Sequence, residues 1–124
     1  MPKSLGILNK ATFKNFKEVF SSPTISGGTL TLDISNGNVF NVALNANISP
    51  MVISTPPNSS LVGNFILIFT ADGTGRSVTW ASSIKWYNLT PPTLTTTNGK
   101  RDIFTFVTYD GGTNWYGGIG GQNL

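Results

Sequence analysis

The chain has 124 residues, of which 39% are hydrophobic and 10% are charged, and it contains neither cysteine nor histidine. This length suits one domain with a single core, and an apolar chain with so little charge is not a disordered one. The absence of both residue types excludes disulfides, thiolate chemistry, and Ser-His or Cys-His catalytic machinery.

The net charge of +3 is concentrated at the N-terminus. Residues 1–20 carry four lysines and one glutamate, whereas residues 21–124 carry four basic and four acidic side chains. A neutral body without an evident helix lacks the basic face of a duplex-binding protein, so we expect no nucleic-acid partner. No apolar run resembles a signal peptide or reaches the length of a membrane span, so we expect neither.

Residues 1–20 form a basic N-terminal arm in which apolar side chains stand among the lysines. One interpretation is a solvated terminus whose later part completes the β domain as a first strand. The other is a segment that orders on a partner, because a terminus left in solvent gains nothing from its apolar residues. The candidate contact residues of the arm are Lys3, Leu5, Ile7, Leu8, Lys10, Phe13, Lys14 and Lys17.

From about residue 21 the sequence consists of short strand-like runs separated by turn formers. In the first run Leu30, Leu32 and Ile34 alternate with polar residues, and "NGN" at 36–38 predicts a tight hairpin turn into a strand within 39–48. Further strands are predicted at 51–55, 64–70, 76–80, 83–87, 101–109 and 114–119. Residues 21–124 are therefore predicted to form one all-β domain, an antiparallel β-sandwich or jelly-roll-like fold.

Two of the predicted strands are apolar on both sides. In the strand predicted at 64–70, Phe65, Leu67 and Phe69 point to one side, and Ile66 and Ile68 point to the other. The run "IFTFV" at 103–107 is likewise apolar on both sides. Either these strands are covered on both faces within the domain, or the second face packs against a neighbouring subunit. The residues predicted to be buried are Phe65, Leu67, Phe69, Phe104, Phe106 and Val107.

The sequence offers little chemistry for catalysis. The five carboxylates lie mostly at turns or beside basic neighbours, where aspartate serves backbone hydrogen bonding. The terminal "GGIGGQNL" lacks the spacing and the context of a nucleotide-binding loop. We therefore predict no catalytic residue, no metal site and no cofactor; a glycan-cleaving enzyme stays open only through an unrecognised carboxylate pair.

Aromatic residues are the stronger candidates for binding. Trp86, Tyr87, Trp115 and Tyr116 could form a stacking platform for a glycan, or they could fill the core and subunit contacts. We favour the second interpretation, because the sequence shows no convergence of polar partners around them. For "DGG" and "NWYGG" we predict a tight turn and a closing strand, with Gly37, Gly111 and Gly112 as structural glycines of which at least one has positive φ.

Three stretches carry a family resemblance: "GGTLTLDISNGNVFNVALNANIS", "GNFILIFTADGTGRSVTWASSIKWY" and "PPTLTTTNGKRDIFTFVTYDGGTNWYGGIGGQN". Together they resemble a β-domain of tailed-phage virion proteins that is common at the C-terminal ends of tail fibres and also occurs alone. The resemblance covers residues 16 to 124 and aligns residues 15–20 with a first strand. It departs from the family pattern at "KWYNL", 85–89, and in the short loop after "TPP".

The resemblance implies a non-enzymatic virion protein that assembles as a homotrimer. Since little more than the arm precedes the domain, we expect a capsid decoration protein, made in the host cytoplasm, that binds the major capsid protein on the outer head surface. The alternative is a tail fibre or tail tip protein that binds a host surface glycan.

Overall fold

The computed structural model describes Thr12, Lys14, Asn15 and residues 17–124. Within the predicted arm, Lys14 and Lys17 are exposed. The other candidate arm residues lie outside the described residues: Lys3, Leu5, Ile7, Leu8, Lys10 and Phe13.

The described chain is all-β, as predicted, with two single-turn 3-10 segments. The strands are β1 (Phe20–Ser21), β2 (Leu30–Asp33), β3 (Val39–Leu44), β4 (Met51–Ser54), β5 (Gly63–Ala71), β6 (Ile84–Lys85), β7 (Arg101–Thr108) and β8 (Trp115–Gly121). The 3-10 segments are Ile34–Asn36 and Tyr87–Leu89.

Six strands form the main sheet in the order β1-β3-β5-β7-β8-β6. The strands β1, β3 and β5 run parallel to one another, β7 is antiparallel to β5 and to β8, and β6 is parallel to β8. The sheet is therefore mixed, and the predicted antiparallel arrangement is wrong for three of its five strand pairings. Antiparallel pairing holds where "DGG" joins β7 to β8, as predicted.

The predicted hairpin between β2 and β3 does not form. After β2 the chain makes a 3-10 turn, Ile34–Asn36. Asp33 caps the start of this turn, because Asp33 Oδ1 accepts a hydrogen bond from the backbone nitrogen of Ser35 at 3.0 Å. The chain then crosses to the main sheet, and β2 pairs instead with β4, in parallel, as a separate two-stranded sheet. A capped turn between two strands can thus redirect the chain as well as reverse it.

Two other predicted strands are mostly lost. Residues 76–80 contribute an isolated bridge between Val78 and Ile48, supported by the bonds Ile48 N to Ser77 O, 2.9 Å, and Thr79 N to Ile48 O, 2.8 Å. The strand predicted at 83–87 is reduced to the two residues of β6, because the chain enters a 3-10 turn at Tyr87.

The core lies between one face of the main sheet, here called the inner face, and a second layer. That layer consists of the small sheet and the loops 77–81 and 91–96, which bring Leu30, Leu32, Met51, Trp80 and Leu94 to the same cluster. The inner face supplies Phe40, Val42, Leu44, Phe65, Leu67, Phe69, Phe104, Phe106 and Trp115. Burying each such large side chain stabilises the fold by about 1.5–3 kcal/mol.

The prediction of the buried strand residues is confirmed with one exception. Phe65, Leu67, Phe69, Phe104 and Phe106 are at most 2% exposed. Val107 is 38% exposed, because strand alternation turns it away from Phe106 and onto the opposite, outer face of the sheet. The apolar run at 103–107 therefore serves two different faces.

The prediction for the glycines is confirmed, since Gly37, Gly111 and Gly112 all have positive φ, at 140°, 70° and 84°. Gly37 follows the 3-10 segment Ile34–Asn36, and the other two lie in the turn between β7 and β8. The turn is held by Thr108, whose Oγ1 accepts from the backbone nitrogen of Gly112 at 3.0 Å, and by Asp110, whose carboxylate accepts from the backbone and side-chain nitrogens of Asn114. These contacts make "DGG" an element of architecture.

Candidate functional site

The outer face of the main sheet is a partly exposed apolar surface. Since paired residues on neighbouring strands point to the same side, the register places Phe20, Val39, Ile66, Ile68, Ile103, Val107 and Tyr116 on this face. Phe20 is 64% exposed and Tyr116 is 41% exposed, whereas the isoleucines are half-buried. The same register places polar side chains on this face as well: Asn41, Asn64, Thr70, Arg101 and Thr105. The face therefore combines partly exposed apolar side chains with polar ones, a mixture that is typical of protein interfaces.

A hollow of about 380 Å³ opens on the β1 side of this face, with Phe20, Val39 and Ile68 among the residues that line it. Two charged residues of opposite sign also line it, Glu18 and Arg101. Among the residues that the structure describes, the one ion pair joins Arg76 to Asp72, so Glu18 and Arg101 form no ion pair with each other.

The opposite side of the outer face carries a pair of tyrosines. Tyr109 and Tyr116 stack with ring centroids 5.8 Å apart and an interplanar angle of 13°. Tyr109 is 63% exposed. Such rings offer large contact area together with a polar tip, the combination that is enriched at protein interfaces.

A second surface is a groove of about 520 Å³ beside the 3-10 turn Tyr87–Leu89. No charged residue lines it; its walls are Trp86, Tyr87, Asn88, Thr90, Pro91, Pro92, Gly117, Gly118 and Ile119. The Tyr87 ring is 85% exposed, and Ile119 is 55% exposed. The turn that presents Tyr87 holds Asn88 and Leu89 at φ of 52° and 57°, a left-handed conformation that residues with a side chain seldom adopt.

The four aromatic residues predicted as contacts are divided between three places. Trp115 is 1% exposed and packs edge-on against Phe65, at 5.0 Å between ring centroids, so it belongs to the core. Trp86 is 9% exposed and forms the floor of the groove, Tyr87 is at its rim, and Tyr116 is on the outer face. The structure therefore does not assemble these rings into one stacking platform.

The indole N–H of Trp86 is buried without a hydrogen-bond acceptor. The ring stands edge-on to Trp80, Phe104 and Phe106, with centroids 5.0, 5.9 and 5.4 Å away. These contacts join the segment that follows β6 to the aromatic core.

The carboxylates of the body are engaged in local structure. Three aspartates have a pKa below the ordinary value because hydrogen bonds stabilise the charged carboxylate. The leading donor is Ser35 for Asp33, Arg76 for Asp72 and the backbone N–H of Asn114 for Asp110. A general acid needs the opposite shift, a raised pKa. Within the described ranges no group of three or more acidic, histidine or cysteine side chains could hold a metal ion.

Asp102 is a buried residue that sequence reasoning did not single out as part of the core. It is 2% exposed on the inner face, where Oδ2 accepts from the backbone nitrogen of Thr95 at 2.7 Å and Oδ1 from that of Asn123 at 3.1 Å. The carboxylate therefore fastens both the loop 91–96 and the C-terminus to β7. Its place in the alternation with Phe104 and Phe106 was the available signal.

In the part of the chain that the structure describes, no helix has the length and apolar character needed to cross a membrane. Comparison of the chain with protein-family models, curated proteins and solved structures finds no match.

Proposed function

We propose that this chain is a non-enzymatic structural protein of a phage virion, a decoration protein that coats the outer head surface. The observation that carries the proposal is the apolar, partly exposed outer face on a well-packed all-β domain. Such a face is a liability for an isolated monomer and an asset for a protein that works in an ordered array. The sequence resemblance to the β-domain of tailed-phage virion proteins supplies the biological setting.

In this proposal the domain is a β-sandwich related to jelly-roll folds, in which the main sheet and the second layer enclose the core. Three copies associate at threefold positions of the head and bridge neighbouring major capsid subunits. The basic arm, residues 1–20, makes the contact with the capsid: its lysines pair with acidic groups and its apolar residues become buried. Lys14 and Lys17, which are exposed, contribute to this contact.

Binding to undecorated heads tests the proposal. Purified protein should saturate heads of the parent phage that were assembled without it, and cryo-electron microscopy should show added density over the whole head. Binding should weaken as salt rises, because exposed charge pairs are screened over about 8 Å at physiological ionic strength. Density restricted to the tail would refute a role in decoration.

Charge reversal locates the contact on the arm. Lys14→Glu combined with Lys17→Glu should lower the affinity for heads, and removal of residues 1–13 should abolish coating while leaving a folded domain. Lys85→Glu combined with Lys100→Glu is the control for net charge, because it changes the charge by the same amount and both lysines are exposed outside the arm. If the truncated protein coats heads with unchanged affinity, the arm is not the anchor.

The second candidate function is glycan binding by a tail fibre or tail tip protein, and the uncharged groove beside Tyr87 favours it. A neutral groove with an exposed aromatic ring, the amide of Asn88 and the hydroxyl of Thr90 matches the flat apolar face and the hydroxyl groups of a neutral sugar. Tyr87→Ala should then abolish binding to host cells or to an array of surface glycans. Tyr109→Ala, which removes an exposed tyrosine elsewhere, is the matched control.

A further inference from the structure

We propose that the outer face of the main sheet is the surface through which copies of this chain associate, with Glu18 of one subunit opposite Arg101 of the next. The inference rests on the self-association included in the proposed function and names the surface and the charge pair that would direct it. It commits the outer face to a second copy of this chain.

Apolar side chains extend across the width of the face. Five strands, β1, β3, β5, β7 and β8, present their outward side chains on it, and its apolar positions include Phe20 on β1 and Tyr116 on β8. Phe20 extends from a strand of two residues and is 64% exposed, so its ring gains most from a partner. A buried phenylalanine stabilises a contact by removing its apolar surface from water.

The face is of moderate size. The strands β1, β3, β5, β7 and β8 have 2, 6, 9, 8 and 7 residues. At about 3.3 Å per residue and about 4.8 Å between strands they cover roughly 500 Å². This is less than the approximately 800 Å² that each partner buries in a standard interface, so the face suits a weak contact between two folded domains.

The charge pattern of the hollow favours further copies of this chain over an unrelated partner. The hollow beside Phe20 carries one negative and one positive side chain, Glu18 and Arg101, and they form no ion pair with each other. It is therefore neutral in sum, and in a ring of three copies Glu18 can face Arg101 of one neighbour while Arg101 faces Glu18 of the other. A strongly acidic or basic partner would be repelled by one of the two residues.

A reciprocal charge swap tests the inference. Arg101→Glu should place like charges opposite each other and raise the dissociation constant for self-association by at least about tenfold, and Glu18→Arg should do the same. The double variant, Glu18→Arg with Arg101→Glu, should recover most of the lost association, because the charge pair is restored with its direction reversed. Sedimentation velocity from 1 to about 100 µM measures all three, a range suited to a weak or standard interface.

Controls separate the inference from unfolding and from net charge. Circular dichroism should show every variant folded, and Lys100→Glu, which changes net charge as Arg101→Glu does but lies outside the hollow, should leave association unchanged. Phe20→Ser gives an independent readout: it removes the most exposed ring of the hollow and should weaken association without reversing any charge.

The inference would be overturned by a full-length chain that is monomeric throughout the range, by single swaps without effect, or by a double swap that stays as weak as the singles. Association that appears only after residues 1–13 are removed would assign the face to the chain's own N-terminal segment and would also overturn it. A monomer that still coats heads leaves the proposed function standing. If the double variant regains association but the protein does not bind heads, the proposed function is refuted and the inferred interface stands.

Discussion

The substitution Gly117→Ala tests why the closing strand needs glycine where it crosses the aromatic core. Gly117 in β8 pairs with Phe106, and a Cβ at this position would lie 2.9 Å from Phe106 Cε1 and 2.9 Å from Trp86 Cζ3. Both rings are buried, with 2% and 9% exposure, so neither can turn into solvent to make room. Adding a methyl group to such a packed site costs about 1–3 kcal/mol of unfolding free energy.

Gly118→Ala is the matched control on the same strand. Gly118 points to the outer face, where an added Cβ would lie 3.5 Å from Thr105 Oγ1, an ordinary contact. Both substitutions lower the entropy of the unfolded chain by a similar amount, worth about 0.5–1 kcal/mol, so the difference between the two variants isolates the packing cost.

Urea denaturation followed by tryptophan fluorescence measures that difference. We expect Gly117→Ala to be less stable than Gly118→Ala by about 1–3 kcal/mol, with similar slopes. Measurements at two protein concentrations separate domain stability from any effect of association. Equal stability of the two variants would refute the argument that β8 lies against the core rings through Gly117.

Three further predictions concern the turn and the buried carboxylate. Gly112→Val should destabilise the fold by more than about 1 kcal/mol, because it forces a β-branched residue to φ of 84° and its Cβ would lie 2.7 Å from Pro56 Cβ; an unchanged melting point would contradict the turn assignment. Asp102→Ala should remove the acceptor of the backbone N–H groups of Thr95 and Asn123, neither of which is fully buried. It should lower the free energy of unfolding by about 1–3 kcal/mol in total, and by more than Asp102→Asn, which keeps one oxygen; equal losses would count against this role. The pKa of Asp110 is lowered below 3.8, chiefly by the backbone N–H of Asn114, so the stability it contributes is present above that value and is lost as pH falls through the lower folded pKa. Asp110→Asn should therefore melt below the wild type at pH 7, and the gap should close as pH falls below 3.8; a gap that persists in strong acid would argue against the charge as its source.

For the sites, sequence reasoning identified residue types correctly and locations only in part. Tyr87 and Tyr116 are exposed and remain candidates for contact, whereas Trp115 belongs to the core and Trp86 to the floor of the groove. Glu18 and Arg101 are 83 positions apart in the chain and were not recognised as neighbours. Both line the same hollow because Glu18 lies just before β1 and Arg101 is the first residue of β7. In the sheet, β3 and β5 lie between these two strands.

The alternation of residues by itself determined the strands that carry the core and which residues of a strand share a face. Phe65, Leu67 and Phe69 alternate with isoleucines, and that period of two places the three on one side whatever the neighbouring strand is. The glycines of "DGG" likewise required positive φ, which is a local property of the backbone. These features are local, so they can be predicted without knowing the rest of the fold.

Strand partners and the identity of each covered face were decided only by the tertiary structure. The alternation in β2 predicts that Leu30 and Leu32 are buried. It is equally compatible with an antiparallel pairing with β3 and with the parallel pairing with β4 that the structure has. Val107 shows the same limit, since an apolar residue at a strand position does not reveal which face the core covers. Pairing depends on hydrogen bonds and packing between segments far apart in the chain, and those contacts exist only once the layers have assembled.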